Sequence, residues 1–350
     1  MKYYSLKNIL EKNCKYNMII GERSNGKSYA VLKYALEQYW KNGSELAYIR
    51  RWNDDLTGRK AQDAFSALVY NNEIVNITNG TWDYVRQYSG KLYFEKSNEK
   101  GEIVRSEKPF GHLFGLSTPE TYKSLSYPGV RTILFEEFLT QETCFRDEWS
   151  RFQSVLSTII RERNDVTIFM LGNTVNKYSP YFGNMGLTHI KQMKQGTIDV
   201  YSYGQHKNIV AVEYCNPTKH GKKSDVYFCF DDSSSMITSG EWDFGRFPLM
   251  HYNYRKEDII YSFFILFDDE MIQCDIIRRS NAMPCLFFHK KTTPIKNNSD
   301  LVFGEYSERG FCVSNIRHMP KIYTAFTMYD KFYSDNEVGQ IIKNYTNSIA

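Results

Sequence analysis

The sequence predicts an α/β fold, a mainly parallel sheet with flanking helices, followed by a small α+β domain. Three observations predict it. Apolar runs of strand length alternate with helix-period segments through the first 200 or so residues. A glycine-bounded loop, Gly21-Glu22-Arg23-Ser24-Asn25-Gly26-Lys27-Ser28, joins the first apolar run to a helix. Beyond Tyr203 the pattern breaks into turn-rich sequence and then hairpin-like strands.

Residues 5–16 read as a short polar helix, and 17–21 as the first strand. The loop that follows is a P-loop in its required context, strand before and helix after. Gly21 and Gly26 permit backbone angles and close approach that a Cβ would block. The N–H groups of Arg23, Ser24, Asn25 and their neighbours would then point at phosphates, with the helix N-terminus behind them. Lys27 would neutralise the β- and γ-phosphates and the Ser28 hydroxyl would hold Mg²⁺. The residue pattern therefore implies ATP and Mg²⁺ as ligands. Asn42-Gly43 ends the helix. Strand two is Leu46–Ile49, finishing in Arg50-Arg51-Trp52, and helical spacing of Ala61, Phe65, Leu68 and Val69 predicts a helix over 60–70.

Short alternating strands from Tyr84 to Ser106 resemble a β-hairpin insertion. Phe110–Leu116 is the third apolar strand, and Pro119 opens a short helix. Arg131–Phe138 is a buried-type strand that ends in Glu136-Glu137, followed by a helix from Phe145 to Glu162. Strand five, Val166–Leu171, ends in Gly172-Asn173. Ligand groups of such sheets gather at the strands' C-terminal ends, where Lys27, Glu136, Glu137 and Asn173 all fall.

Downstream of a P-loop, an apolar strand ending in two acids reads as a Mg²⁺-supporting carboxylate, Glu136, and a water-polarising one, Glu137. The second acid favours hydrolysis over a nucleotide switch. A GTPase would need N-K-x-D, and Asn176-Lys177-Tyr178-Ser179 lacks the Asp. Arg161-Glu162-Arg163 closes the next helix, as either a complement to its C-terminus or an arginine finger for a neighbour's γ-phosphate. Asn173 is either a turn residue or a group that orients water.

Composition narrows the rest. The net charge of +4 does not demand nucleic acid, nor does it exclude a local basic surface. Seven scattered cysteines without C-x-x-C imply free thiols in a reducing compartment. There is no signal-peptide pattern, and the longest apolar run, Ile259–Phe267, is too short to span a bilayer, so a cytoplasmic chain with no membrane partner is expected. The domains are expected at 1–218 and 251–350 with a linker over 219–250. In the second, two hairpin strands flank Asp268-Asp269-Glu270, strands follow at 282–288 and 311–314, and a helix covers 335–348.

The ordered set G-E-R-S-N-G-K-S, Y-I-R-R-W, Y-K-S-L-S-Y-P-G-V, T-I-L-F-E-E-F, I-I-R-E-R and G-N-T-V-N-K-Y-S-P-Y-F, spread over about residues 17–182, resembles the phi29-like DNA-packaging ATPases of small tailed phages. The resemblance implies a P-loop ATPase of the additional-strand, catalytic-glutamate class. It implies a homo-oligomeric, pentameric ring docked on the portal of an empty procapsid in the host bacterial cytoplasm, pumping double-stranded DNA inward, with an RNA adaptor among the partners. By motif position Glu137 matches the catalytic glutamate, Arg161 the trans-acting arginine finger, Lys123 a lysine that crosses the subunit boundary and Arg23 the basic residue of the P-loop. Glu136 stands where the family usually has Asp. The family's second domain is similar to an RNase H-like nuclease with a degraded site; the acidic tripeptide Asp268-Asp269-Glu270 is expected to be turn chemistry, and no nuclease activity is expected of it or of Asp275. Basic stretches at Lys219-Lys222-Lys223 and His289-Lys290-Lys291 and the 84–108 insertion are candidates for DNA contact, each equally readable as a solvated face. The alternatives are a large-terminase-like motor with an active nuclease, a P-loop ATPase or kinase not coupled to DNA, and a nucleotide-stabilised portal adaptor.

Overall fold

The computed structural model describes residues 4–349 apart from 99, 141–144, 146, 177, 217–244, 252, 281, 294–300 and 305–318. Two compact units divide them, the first drawn from Met1–Glu142 and Asp147–Asp243, the second from Thr143–Arg146 and Phe244–Ala350. The bulk of the expected 219–250 linker, the strand expected at 311–314 and the basic stretch around Lys219, Lys222 and Lys223 lie outside the described residues.

The first unit is built on a 10-stranded sheet. Its strands are β1 (Tyr16–Gly21), β2 (Glu45–Arg50), β3 (Tyr84–Tyr88), β4 (Lys91–Ser97), β5 (Ile103–Arg105), β6 (Gly111–Gly115), β7 (Val130–Glu136), β8 (Thr167–Asn173), β9 (Thr197–Tyr203) and β10 (His206–Tyr214). They lie in the order β3-β4-β6-β2-β7-β8-β1-β10-β9, with β5 also paired to β4. From β6 to β10 every neighbouring pair is parallel, and the pairs at the two ends are antiparallel. β8 stands between the P-loop strand β1 and the carboxylate strand β7, which is the additional-strand arrangement. The central strands are apolar on both faces because helices cover both.

The helix Lys27–Asn42 buries Val31, Leu32, Ala35 and Leu36, and stops at Gly43, whose left-handed backbone (φ 73°) lets its N–H reach the Tyr39 carbonyl at 2.8 Å. The helix Glu148–Ile160 returns from β7 and buries Phe152, Val155, Leu156 and Ile159. Phe152 stacks on Phe135 of β7 with ring centroids 5.2 Å apart, and Tyr181 meets Phe135 edge-on at 5.6 Å. That aromatic cluster sits directly beneath the end of β7.

Some local expectations differ. The helix expected over 60–70 is two short ones, Lys60–Asp63 and Ser66–Tyr70. The break frees Phe65 to bury its ring edge-on against Phe110, centroids 5.6 Å apart. The helix expected over 5–16 is only Lys7–Leu10, since Asn13 turns left-handed (φ 53°) to bring the chain into β1. The hairpin β9–β10 was not evident in the sequence: β9 is an edge strand with no fully buried residue, so its apolar alternation is weak.

In the second unit, β11 (Ile259–Phe267), β12 (Glu270–Arg279), β13 (Ala282–Lys290), β14 (Val302–Gly304) and β15 (Asp330–Tyr333) form a sheet of order β14-β11-β12-β13-β15. β11, β12 and β13 are an antiparallel meander, with β14 parallel to β11 at one edge and β15 parallel to β13 at the other. The hairpin lies where it was predicted, Asp268 and Asp269 both taking left-handed backbone (φ 50° and 63°) as a tight two-residue turn requires. The C-terminal helix is Asn336–Ile349, and Met319–Met328 is a further helix.

Candidate active site

Parallel pairing levels the ends of three neighbouring strands. Gly21 of β1 is opposite Asn173 of β8, and Leu171 of β8 is opposite Glu136 of β7. The loop 21–28 leaves β1 at this edge. A Cβ on Gly21 would come within 2.9 Å of the Cys215 Cβ, so the loop can pass the end of β10 only as glycine. Gly26 takes φ 92° and Ser24 φ 61°, turning successive backbone N–H groups inward ahead of the helix. Gly26, the N-cap, has no side chain, and Asn25 Oδ1 accepts from one first-turn N–H, that of Lys27, at 3.2 Å, which leaves the rest of that end for an anion.

Lys27 is 6 % exposed and its Nζ donates to the carbonyls of Glu22 at 2.6 Å and Gly21 at 3.2 Å, and to Asn173 Oδ1 at 3.4 Å. Burial pushes its ammonium down to about 8, partly offset by the acidic groups nearby, among them Glu22 and Glu136. A buried cation bound only by carbonyl dipoles, beside a helix end with one of its N–H groups taken by a side chain, fits a polyphosphate well.

Glu136 closes β7 and accepts a short hydrogen bond from the Tyr48 hydroxyl. Burial, with Glu136 alongside, raises that phenol well above its ordinary range, so it stays a neutral donor. Glu137 leaves the strand in a left-handed conformation (φ 57°), which turns its exposed carboxylate toward the cleft. Arg50, at the end of β2, holds both acids: Nη2 is 2.7 Å from Glu137 and Nη1 is 3.6 Å from Glu136. The neighbouring Arg51 is buried and works on the backbone. It donates to the carbonyls of Glu137 (3.0 Å) and Phe138 (2.8 Å) and makes a two-point pair with Glu148 (2.9 and 2.8 Å). Tyr181 completes that buried cluster by donating to Glu148 at 2.8 Å.

These groups border a cleft of about 350 Å³ lined by Arg23, Arg50, Arg51, Trp52, Glu136, Glu137 and Asn173, among others. Glu136, Glu137, Asn173, Arg23 and the P-loop lysine thus come together. Arg50 and Arg51 were legible as charges at a strand end, where site groups gather, but nothing in their spacing assigned them to the acids. Glu148 reads in sequence only as an acid in the first turn of a helix; its burial against Arg51 is a tertiary fact.

Residues 1–202 match the family model of the podovirus DNA encapsidation protein (Gp16). The chain belongs to that family. Over 183 residues it is 26 % identical to the DNA packaging protein of Bacillus phage phi29, covering 51 % of this chain and 49 % of that protein. It is 27 % identical over 174 residues to the DNA packaging protein of Bacillus phage B103, covering 49 % and 48 %. It therefore aligns with about half the length of these relatives. In fold it is similar to the phi28 gp11 DNA packaging motor (TM-score 0.55, 15 % identity, 99 % of this chain and 98 % of that). It is also similar to the protein of the phi29 viral genome packaging motor assembly (TM-score 0.53, 19 % identity, 99 % and 98 %).

Two residues that this Gp16-family chain was expected to use stand apart from the cleft. Arg161 ends the helix Glu148–Ile160 in a strained left-handed conformation (φ 52°, ψ −122°), its Nη2 donating to the Leu125 carbonyl at 2.9 Å. That helix returns from β7, so Arg161 lies toward the edge where β7 and β8 begin. Lys123 is exposed on the segment before β7 and pairs with Glu120 at 2.6 Å. Arg163, by contrast, is spent on carbonyls, donating to Val130 and Ile159 at 2.7 Å each.

In the second unit, Asp268 and Asp269 are at the hairpin turn while Asp275 is buried mid-strand. Asp275 accepts from Ser262 (2.5 Å) and Gln273 (3.0 Å), and it is 3.2 Å from His289. Those hydrogen bonds outweigh burial and hold its carboxyl below the usual range. Among the described residues, no group of three or more His, Cys, Asp and Glu side chains is placed to hold a metal ion, and no helix is long and apolar enough to cross a membrane.

Proposed function

We propose that this chain is the ATP-hydrolysing subunit of a homo-oligomeric ring motor that drives double-stranded DNA into a preformed capsid. The observation that carries the proposal is the meeting, at adjacent strand ends, of a buried P-loop lysine and two successive carboxylates held by Arg50. Lys27 would exchange its loop carbonyls for the β- and γ-phosphates, and Arg23, Ser24, Asn25 and Gly26 would cradle them through their backbone. Ser28 and Glu136 would hold Mg²⁺, which when bound neutralises phosphate charge. Glu136 has one methylene more than the Asp usual there. Glu137 would accept the proton of the attacking water, and Asn173 would orient that water. Arg161 and Lys123, turned away from their own cleft, would act on a neighbour's. The proposal brings with it an ATPase domain within 1–218, a linker over 219–250 and a second domain over 251–350. It also brings a pentameric ring docked at the portal, with an RNA adaptor among its partners. The relatives, DNA packaging proteins and genome packaging motors, support this assignment of DNA and capsid.

The test is ATPase activity with and without duplex DNA on samples sized for oligomeric state. Lys27→Ala is expected to lose ATP binding. Glu137→Gln is expected to bind ATP and lose turnover by a factor of about 10² or more. Substantial turnover by Glu137→Gln, or phosphoryl transfer to a small acceptor by a monomer, would overturn the proposal.

A further inference from the structure

The antiparallel end of the first unit carries a feature that the active site does not use. β3, β4 and β5 turn Val85, Leu92 and Phe94 into the core. The alternate residues, which pair directly across the strands, face away from it: Tyr84 with Glu95, Arg86 with Tyr93, Tyr88 with Lys91, and Glu95 with Arg105. Glu95, at the centre, is 1 % exposed at its side chain, while Arg86 and Arg105 are 44 % and 41 % exposed. Arg105 approaches Glu95 through Nε at 3.1 Å and Arg86 through Nε at 3.8 Å, and the Tyr88 hydroxyl donates to the same carboxylate at 2.7 Å. Approach through the inner nitrogen leaves the terminal edge of each guanidinium directed away from Glu95. The guanidinium of Arg105 lies 3.3 Å over the Tyr88 ring and that of Arg86 5.4 Å over Tyr84.

The geometry points to this face as a contact for the phosphate backbone of duplex DNA, an inference that rests on the motor proposal. Both arginines gather on one buried carboxylate, whose single charge can offset only one of them, and their outer N–H groups remain directed toward phosphate oxygens. With Lys91 beside them the face carries three cations against one buried acid. The tyrosine rings do not offer a stacking platform for unpaired bases, because guanidinium groups cover Tyr84 and Tyr88 and Tyr93 meets Tyr88 edge-on at 6.2 Å. What remains is a sequence-independent, salt-sensitive contact, the kind a translocating motor must make and release.

The experiment is binding of a mixed-sequence duplex by the full chain, without nucleotide, from about 50 to 200 mM salt. The double variant Arg86→Gln/Arg105→Gln is expected to bind about 10- to 100-fold more weakly and to lower the slope of log affinity against log salt by about 2, with ATPase activity in the absence of DNA unchanged. Glu95→Gln keeps the face and frees both arginines from their counter-charge, so it is expected to bind at least as tightly as the parent, a gain that damage to the hairpin could not produce. Parent-like affinity and slope in the double variant would overturn the assignment of this face alone. So would weakening by Glu95→Gln, or loss of single-stranded RNA binding with the duplex unaffected. Failure of the parent chain to bind duplex at the lowest salt would overturn the motor proposal and this face together.

Discussion

Lys27 shows how a residue's surroundings become its chemistry. Its ammonium is held down near 8 by burial, and phosphate oxygens would raise it again, so nucleotide binding above that pH must be accompanied by proton uptake. The sign follows directly: affinity for ATP is full below about 8 and falls as the pH rises through it, by about tenfold per unit until the bound lysine itself titrates. Calorimetry in buffers of different ionisation enthalpy would register the uptake, and an affinity independent of pH from 7 to 10 would contradict it. Backbone strain tells a second residue-level story. Ser24, Glu137 and Arg161 are non-glycine residues with φ of 61°, 57° and 52°, and such conformations persist only where the surroundings hold them. Arg161→Gly is expected to be about 1 kcal/mol more stable than Arg161→Ala in urea unfolding, while both lose hydrolysis in the assembled ring.

At the scale of elements, the acid pair is positioned by a chain of contacts from β2 through the turn after β7 to the helix Glu148–Ile160. Arg51 joins all three, with Glu148 1 % exposed beneath it. Removing one partner of a buried pair leaves an uncompensated charge, so Glu148→Ala is expected to cost roughly 3–5 kcal/mol in chemical denaturation. Replacing both, as Arg51→Met with Glu148→Leu, should cost clearly less than either single change. Because Arg51 also fixes the Glu137 carbonyl, the double variant should retain ATP affinity while its turnover drops. A double variant with the parent's turnover would show that the pair is a packing device only.

At the scale of the whole molecule, if Arg161 and Lys123 act on a neighbour's cleft as proposed, single-subunit activity is the wrong measure of either. Mixtures of Arg161→Ala with Glu137→Gln subunits are expected to recover part of the activity that each lacks alone, since some interfaces would combine an intact glutamate with an intact arginine. Absence of recovery at every mixing ratio would restrict Arg161 to capping its helix.

The loop 21–28, the apolar strand ending in Glu136-Glu137 and the Lys–Ser pair were legible in sequence because local geometry dictates their spacing. Glycines must occur where the backbone turns, and side chains at strand ends must serve what lies beyond them. The parallel core was legible for the same reason, as continuous apolar runs buried on both faces. Tertiary structure alone decided which strands are neighbours, and so that β8 levels Asn173 with Gly21, that Arg50 holds both acids and that Glu148 underpins Arg51. It also decided that Phe65 breaks a helix to reach Phe110, and that the half-exposed β9 joins the sheet. Contacts between residues far apart in the chain leave no periodic trace in it, because each is set by packing and charge pairing after the strands have found their order.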